Sequence, residues 1–485
     1  MMTENYYRWF RNVINLCIAL FFLFSLISNL CVYVSVFSGW MKYVILACLC
    51  CSFAFVVYLL KDFVAKLLKR IFIYLERFSF RKLLFLIVTS SIVLKLFYLV
   101  FFFFDSTKFG GDITIYAGIA DDIVEHGFSS VMNQIYYLAG TGLHLSLFKI
   151  LSLPYHTGVY LVFLLATIIN FYSFTEIIGK EKSFVLIELY LLMPSTSLLT
   201  FCITHELFVY FYFSIILSIL NLFLKQKERS RNILEALFLL LFISLNQTVS
   251  PIGKIWYIVL ALIVLLSNTD KAKKALLVIV IVLSLLCTDF LSTRLEGNTM
   301  SQSNNYEQLL IGSNLESMGR HTDGRGKQAA KAYWEERGVK LTLDNLVEGE
   351  KGALIQQYKY LFTHPDKLFV LLANKFYVAW SGDYYSIEYA HNMGSINDLT
   401  FYIMLLMSAV IWLLVVTIGV VYYQKKNEEM GILNYKLIIL GIMAVLLITE
   451  IMNKYSCYMT IFIYFVAFSR ISLQENDTDE GRKTL

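Results

Sequence analysis

Charge is scarce in this sequence. Only 16% of the 485 residues are charged, against roughly 25% in soluble proteins, whereas 58% are hydrophobic and 16% are aromatic. Several apolar runs reach about 18 residues or more, which is enough to cross a bilayer core of ~30 Å. The composition therefore excludes an ordinary soluble domain and predicts an all-α polytopic membrane protein. The net charge of +5 comes from short loops, so it does not indicate a nucleic-acid-binding surface.

Several well-known functional motifs are absent as well. The sequence contains no Walker loop, no dinucleotide-binding glycine motif and no zincin motif, which argues against a nucleotide-driven pump. All eight cysteines lie in or beside apolar segments, so no disulfide framework is expected. The acidic residues are scattered and form no clear ligand set, so the sequence leaves a divalent metal cofactor undecided.

The apolar segments predict twelve transmembrane spans. We place them at residues 13–37, 41–60, 83–104, 157–177, 183–203, 206–224, 233–250, 254–268, 274–292, 401–423, 434–451 and 457–470. The loops after every second span are basic: the loop 61–82 holds seven basic residues against two acidic ones. Because basic loops stay in the cytoplasm, both termini are placed inside. Two polar regions are then outside, the first polar region (105–156) and the second polar region (293–400).

The same pattern divides the chain into five parts. They are an N-terminal two-helix hairpin with its basic loop (1–82), a transmembrane core with the first polar region (83–292), the second polar region (293–400), C-terminal transmembrane helices (401–473) and a disordered cytoplasmic tail (474–485). Within the second polar region, residues 327–337 and 366–380 are predicted to be helical. Lys375 and Trp380 suit a position at the membrane interface.

The first polar region predicts two helices that lie on the membrane surface. Residues 113–126 carry an apolar stripe at four-residue spacing, formed by Ile115, Ile119 and Ile123. Three acids lie off that stripe, on an expected solvated face: Asp121, Asp122 and Glu125. Residues 138–153 predict a second interfacial helix, which Pro154 stops. If this stretch crossed the membrane instead, every later loop would change sides.

Asp112 is the leading candidate for a catalytic residue. It follows Gly110 and Gly111, which let the backbone turn sharply where span three ends. Tyr116 comes four residues later, so the two side chains share one helical face. A carboxylate at this place could accept a proton from an incoming hydroxyl group. Alternatively, Asp112 is the N-cap of the surface helix, a position at which aspartate is favoured.

Charged residues in or beside other spans are candidates for substrate binding. His205 and Glu206 lie at the short outer turn between spans five and six, either as part of a site or as a helix-capping turn. At the outer end of span eleven, Glu450 and Lys454 either pair along a helix or leave the lysine to hold a phosphate. Lys95 lies inside span three, where a charge is costly unless it snorkels or faces the bundle interior.

Three short elements occur in a recognisable order. They are the run from Asp112 through Tyr116 to Ala120, then Pro194 followed by Thr204-His205-Glu206, and finally Glu450-Ile451-Met452-Asn453-Lys454-Tyr455. This order resembles the integral-membrane C-type glycosyltransferases (the GT-C superfamily), in particular the bacterial protein-mannosyltransferase and aminoarabinose-transferase branch. The family has a second acid where this chain has Ile113, and arginine where this chain has Lys454.

The resemblance implies a GT-C-like fold of about twelve transmembrane helices and an inverting sugar transfer. The donor would be a polyprenyl-phosphate (undecaprenyl-phosphate) monosaccharide. Asp112 would deprotonate the acceptor hydroxyl, and Lys454 and Lys95 would neutralise the leaving phosphate. The other binding residues that the resemblance implies are Tyr116, His205, Glu206, Glu450 and Tyr455.

The sequence therefore predicts a hexosyl- or other glycosyltransferase of the bacterial plasma membrane that depends on a polyprenyl-phosphate sugar. Its partners would be that lipid-linked donor and a cell-envelope polysaccharide or teichoic-acid-like acceptor, used on the extracytoplasmic face. Two alternatives stay open at this point. One is a polysaccharide polymerase or ligase that uses lipid-linked repeat units, and the other is a lipid or polysaccharide transporter without enzymatic activity.

Overall fold

The structure is a computed structural model, and the residues it describes form an assembly of helices without a strand. It describes residues 2–34, 63–64, 66–101, 112–131, 136–201, 205–226, 228–267, 269–296, 306–318, 324–380, 385–392, 394–421, 430–449 and 459–471. The helices are α1 Met2–Val34, α2 66–76, α3 Phe80–Phe101, α4 Asp112–His126, α5 Tyr136–Ile150, α6 Tyr155–Ile178, α7 Lys180–Leu192, α8 Pro194–Leu199, α9 His205–Lys225, α10 Arg229–Val249, α11 Ile255–Leu266, α12 Lys271–Glu296, α13 306–312, α14 Arg325–Glu335, α15 Leu343–Thr363, α16 Pro365–Trp380, α17 Tyr385–Asn392, α18 Asp398–Val421, α19 Met430–Ile448 and α20 Thr460–Phe468.

Eight of the described helices are long and apolar enough to cross a membrane. They are found at Arg8–Ser28, Phe80–Val100, Tyr155–Ile178, His205–Lys225, Ser230–Val249, Lys271–Leu291, Asp398–Val421 and Gly431–Ile448. A shorter apolar helix, Ile252–Leu265, corresponds to predicted span eight. Span two (41–60) lies outside the described residues. The predicted all-α, multi-pass membrane fold is confirmed.

The fifth predicted span is not one continuous helix. It breaks at Pro194, where α7 ends and α8 begins, and Met193 between them is extended, with φ −69° and ψ 118°. Proline lacks a backbone N–H and disfavours the helical conformation of the residue before it, which explains the break. The Ser197 hydroxyl then donates a hydrogen bond to the Leu191 carbonyl at 3.1 Å. The segment 183–203 is therefore two helices and not one continuous helix.

The two predicted helices of the first polar region are present as α4 and α5, packed against each other. The packing is close because Gly142 has no side chain: a Cβ there would lie 2.3 Å from a methyl carbon of Ile119. With 15 residues, α5 rises only ~22 Å, too short to span a bilayer core of ~30 Å. The predicted apolar stripe needs one correction. Ile115 is 50% exposed, and Tyr116 instead joins the buried face.

The first helix is packed into the bundle by contacts with C-terminal elements. It contacts α16, α18 and α19. The buried Lys436 ammonium of α19 donates a hydrogen bond to Asn15 Oδ1 of α1 at 2.7 Å. An ion inside a membrane bundle is tolerated where polar partners surround it, and this contact supplies one. Helices from the two ends of the chain thus share one core.

The second polar region contains both helices predicted there, as α14 and α16. Lys375 and Trp380, however, are buried, and their predicted interfacial position was wrong. The Lys375 ammonium donates hydrogen bonds to the carbonyls of Gly312, Leu447 and Thr449 at 3.0, 2.6 and 2.6 Å. Burial lowers the pKa of Lys375 to about 7, whereas these carbonyls favour its charged form. The C-terminal end of a helix attracts a cation, which explains the position beside α19.

Replacing Lys375 by methionine is expected to destabilise the protein. The substitution keeps the length of the side chain but leaves three carbonyls without their donor, at a cost of about 3 kcal/mol in the free energy of unfolding. The measurement is thermal unfolding of the purified protein in detergent. Lys367→Met on the same helix is the control, because Lys367 is exposed and has only a 3.9 Å ionic contact with Asp366. Equal midpoints for the two variants would contradict the structural role of Lys375.

Candidate functional site

Three of the residues predicted to bind substrate lie together in one buried cluster. The Tyr116 hydroxyl and His205 Nδ1 share a hydrogen bond of 3.0 Å, although the two residues are 89 positions apart in the chain. His205 Nδ1 is also 3.5 Å from Glu206 Oε2. All three side chains are buried. The cluster joins α4 of the first polar region to the first turn of α9.

The helices explain how these side chains come to face one another. Tyr116 belongs to the buried face of α4, together with Ile119 and Ala120. Glu206 lies in the first turn of α9, where the positive end of the helix dipole stabilises a carboxylate. Consequently a tyrosine, an imidazole and a carboxylate are aligned, which is an arrangement able to hold or pass a proton.

A histidine that the sequence analysis did not select makes a separate polar contact. His144 of α5 hydrogen-bonds the Tyr212 hydroxyl through Nε2 and the Gly140 carbonyl through Nδ1, the latter at 2.6 Å. Burial lowers the pKa of His144, which favours the neutral form of the ring. Its only sequence signal is a histidine within an otherwise apolar stretch. In the fold His144 connects α5 to α9, whereas the Tyr116 cluster connects α4 to α9.

Asp112 is the first residue of α4. The structure describes its backbone, whereas its side chain lies outside the described part. Residues four apart lie on one side of a helix, so Asp112 starts the face that Tyr116 continues. This position suits the N-cap hypothesis, because an acid in the first turn stabilises a helix. It also suits the general-base hypothesis, because Asp112 lies one helical turn before Tyr116 of the buried cluster.

Lys95 of α3 lies in a pocket with hydroxyl groups. Its ammonium is 4.1 Å from the centre of the Tyr160 ring and 4.6 Å from that of Phe201. The pocket is also lined by Ser91, Leu94, Phe163, Leu191, Ser197 and Thr200. Among the residues that the structure describes, no carboxylate pairs with Lys95. Two aromatic faces therefore hold a cation that no described carboxylate neutralises, and such a cation can bind an anion.

The remaining predicted site residues, Glu450, Lys454 and Tyr455, lie outside the described residues. The description stops at Thr449, directly after α19, and resumes at Met459. Within the described ranges, no group of three or more His, Cys, Asp or Glu side chains is placed to hold a metal ion.

Asp121 does not belong to a simple solvated face, contrary to expectation. Its carboxylate accepts hydrogen bonds from the Lys149 ammonium and the Tyr155 hydroxyl, both at 2.6 Å. Lys149 also lies 3.4 Å from Glu125. The hydrogen bond from Lys149, followed by that from Tyr155, lowers the pKa of Asp121. Asp121 therefore ties α4 to α5 and to the start of α6, whereas Asp122 is exposed as predicted.

Replacing Asp121 by asparagine is expected to lower the free energy of unfolding by about 0.5–1 kcal/mol, because the ion pair is partly exposed. Since the pKa of Asp121 is lower in the folded protein, the contribution is present at neutral pH. It disappears as the pH falls through that lowered value. Unfolding of the purified variant at pH 7 measures the effect, with Asp122→Asn as the control. An equal loss in both variants would show that the contacts of Asp121 contribute nothing.

The chain was also compared with known proteins. No protein-family model matches it, and no curated protein matches it. Among solved structures, it is similar to the crystal structure of ArnT from Cupriavidus metallidurans bound to undecaprenyl phosphate, with 13% sequence identity and a TM-score of 0.34. The similarity covers 80% of this chain and 77% of that chain. At this identity, an activity has to be inferred from the residues of the chain itself.

Proposed function

We propose that the protein transfers a monosaccharide from a polyprenyl-phosphate donor to a cell-envelope polysaccharide or teichoic-acid-like acceptor. The observation that supports this most is the pocket of Lys95. A cation held against Tyr160 and Phe201, without a carboxylate partner in the described part of the chain, supplies a positive charge that can attract a phosphate group. The pocket lies between α3, α6, α7 and α8 of the bundle.

In the proposed reaction Lys95 stabilises the leaving group. The bond between the anomeric carbon and the phosphate oxygen breaks, and the electron pair stays with polyprenyl phosphate. The negative charge on that oxygen grows as the bond lengthens. A fixed ammonium in a site that excludes water stabilises this charge more than bulk water would. Lys454 is proposed to supply a second cation, with Glu450 and Tyr455 beside it.

Asp112 is proposed as the general base. It takes the proton of the acceptor hydroxyl while the acceptor oxygen forms its bond to the anomeric carbon, opposite to the leaving phosphate. The configuration at that carbon is therefore inverted. Tyr116, one turn after Asp112 on α4, hydrogen-bonds His205, which lies 3.5 Å from Glu206. Glu206 is proposed to take the place of the second acid, where this chain has Ile113.

The proposed activity is tested by mass spectrometry of the envelope polymers from cells with and without the protein. Loss of one monosaccharide substituent, restored when the gene is returned, is the expected result. Polymers with intact substituents but altered chain length would instead favour a polymerase that uses whole repeat units. Unchanged polymers would overturn the proposal. A direct assay then uses the purified protein and a lipid extract of the same cells as the donor source.

A further inference from the structure

The corner between α15 and α16 exposes large apolar side chains. Phe362 near the end of α15 is 72% exposed, and Phe369 in the second turn of α16 is 73% exposed. Ile355, seven residues before Phe362, lies on the same face of α15, and Val370 follows Phe369. Four apolar side chains thus project from one corner of the second polar region.

Such exposure is unfavourable in water. Burying one phenylalanine side chain contributes about 1.5–3 kcal/mol, and contiguous apolar surface usually marks a contact with protein or membrane. No residue among those the structure describes covers Phe362 or Phe369 to a substantial degree, since most of each side chain is accessible. The corner therefore requires a partner outside the described chain.

The continuity of α16 with the transmembrane surface identifies that partner. Seven residues after Phe369, Phe376 lies 5.9 Å from Phe24 and 6.0 Å from Phe21, both on α1. That part of α1 is a membrane-span candidate, and Phe24 is half exposed at its surface, where lipid is the expected neighbour. Seven helical residues rise ~10 Å, so Phe369 lies within two turns of this lipid-facing surface.

The charges around the corner fit a bilayer rather than a second protein. Lys359 and Lys367 are exposed and alternate with the two phenylalanines along the chain. The acid nearest to Lys367 is its own neighbour Asp366, at 3.9 Å. Lysines flanking exposed aromatic residues are typical of interfacial segments, because the aliphatic stems lie along the acyl chains while the ammonium groups reach the lipid phosphates.

We infer that the corner between α15 and α16 is a membrane anchor. Phe362 and Phe369 enter the boundary between headgroups and acyl chains, and Lys359 and Lys367 bind lipid phosphates. The anchor holds the second polar region against the bilayer surface at a point separate from the transmembrane helices. It does not depend on the proposed sugar transfer.

The test uses the full-length protein in lipid nanodiscs, with a genetically introduced fluorescent amino acid in place of Phe362 or Phe369. The same fluorophore in place of Lys340 is the control, since Lys340 is exposed in the connection between α14 and α15. Lipids carrying a nitroxide on the acyl chain are expected to quench positions 362 and 369 several-fold more strongly than position 340. Aqueous iodide is expected to show the opposite order.

Two outcomes would overturn the inference. If iodide quenches all three positions equally and the nitroxide lipids quench none, the corner projects into water. If positions 362 and 369 are shielded from both quenchers, another protein surface covers the corner. The phenylalanines are exposed, so their substitution does not disturb the core, and the unfolding temperature of each labelled protein verifies this.

Discussion

Replacing Asp112 by asparagine is expected to lower the rate of sugar transfer by about 10²- to 10⁴-fold, the usual contribution of a general base. Asparagine has nearly the same shape and can still cap α4, so the helix and the expression level should be retained. It cannot accept a proton from the acceptor hydroxyl. The measurement is the initial rate of transfer by the purified protein, with the donor at saturating concentration.

The matched control is Asp122→Asn on the same helix. Asp122 is exposed, and the structure gives it no role in the Tyr116 cluster. Its variant should transfer sugar at the rate of the unaltered protein. If Asp112→Asn were also near normal, Asp112 would be an N-cap only, and the base would have to be found elsewhere.

Replacing Lys95 by methionine is expected to lower the transfer rate by about 10²- to 10³-fold, as when one stabilising group for a developing negative charge is removed. Methionine keeps the aliphatic contacts with Tyr160 and Phe201 but removes the charge. The affinity for sugar-free polyprenyl phosphate should fall together with the rate, because the same ammonium binds the product. Titration with that lipid followed by intrinsic fluorescence measures the affinity.

Lys82→Met is the control for this second prediction. Lys82 is an exposed residue at the other end of α3, so both variants remove one positive charge from the same helix. Only the Lys95 variant should lose affinity for the phosphate. Equal affinity in both variants would show that Lys95 is a structural cation held by its aromatic neighbours.

The ends of helices were predicted correctly from the sequence where a single local signal determines them. Pro365 starts α16 because its missing N–H is not needed in the first turn of a helix. Pro154 lies between α5 and α6 because a proline inside a helix removes a backbone hydrogen bond. The interruption at Pro194 was missed, because hydropathy counts apolar residues over a window and does not register a single lost backbone donor. Whether a proline kinks a span or stops it depends on the helices packed around it.

The grouping of site residues depended on long-range contacts that periodicity does not encode. The alignment of Asp112 with Tyr116 is a property of one helix, so spacing was enough to predict it. The approach of His205 to Tyr116 requires α9 and α4 to pack, and no local signal specifies that. For Lys375, the local pattern gave a wrong prediction. A lysine on an amphipathic helix is usually solvated, but here the carbonyl ends of another helix provide partners inside the protein.

The position of Lys375 has a mechanical consequence. Its ammonium joins α16 to the last residues of α19, and Gly312 packs so tightly there that a Cβ would lie 2.3 Å from the Thr449 carbonyl carbon. The residue after Thr449 is Glu450, which begins the segment proposed to hold the phosphate. A shift of α16 would therefore act on Thr449, the described residue directly before that segment. With α16 resting on lipid as inferred above, bilayer thickness and tension would act on the end of α19, next to the segment proposed to hold the phosphate.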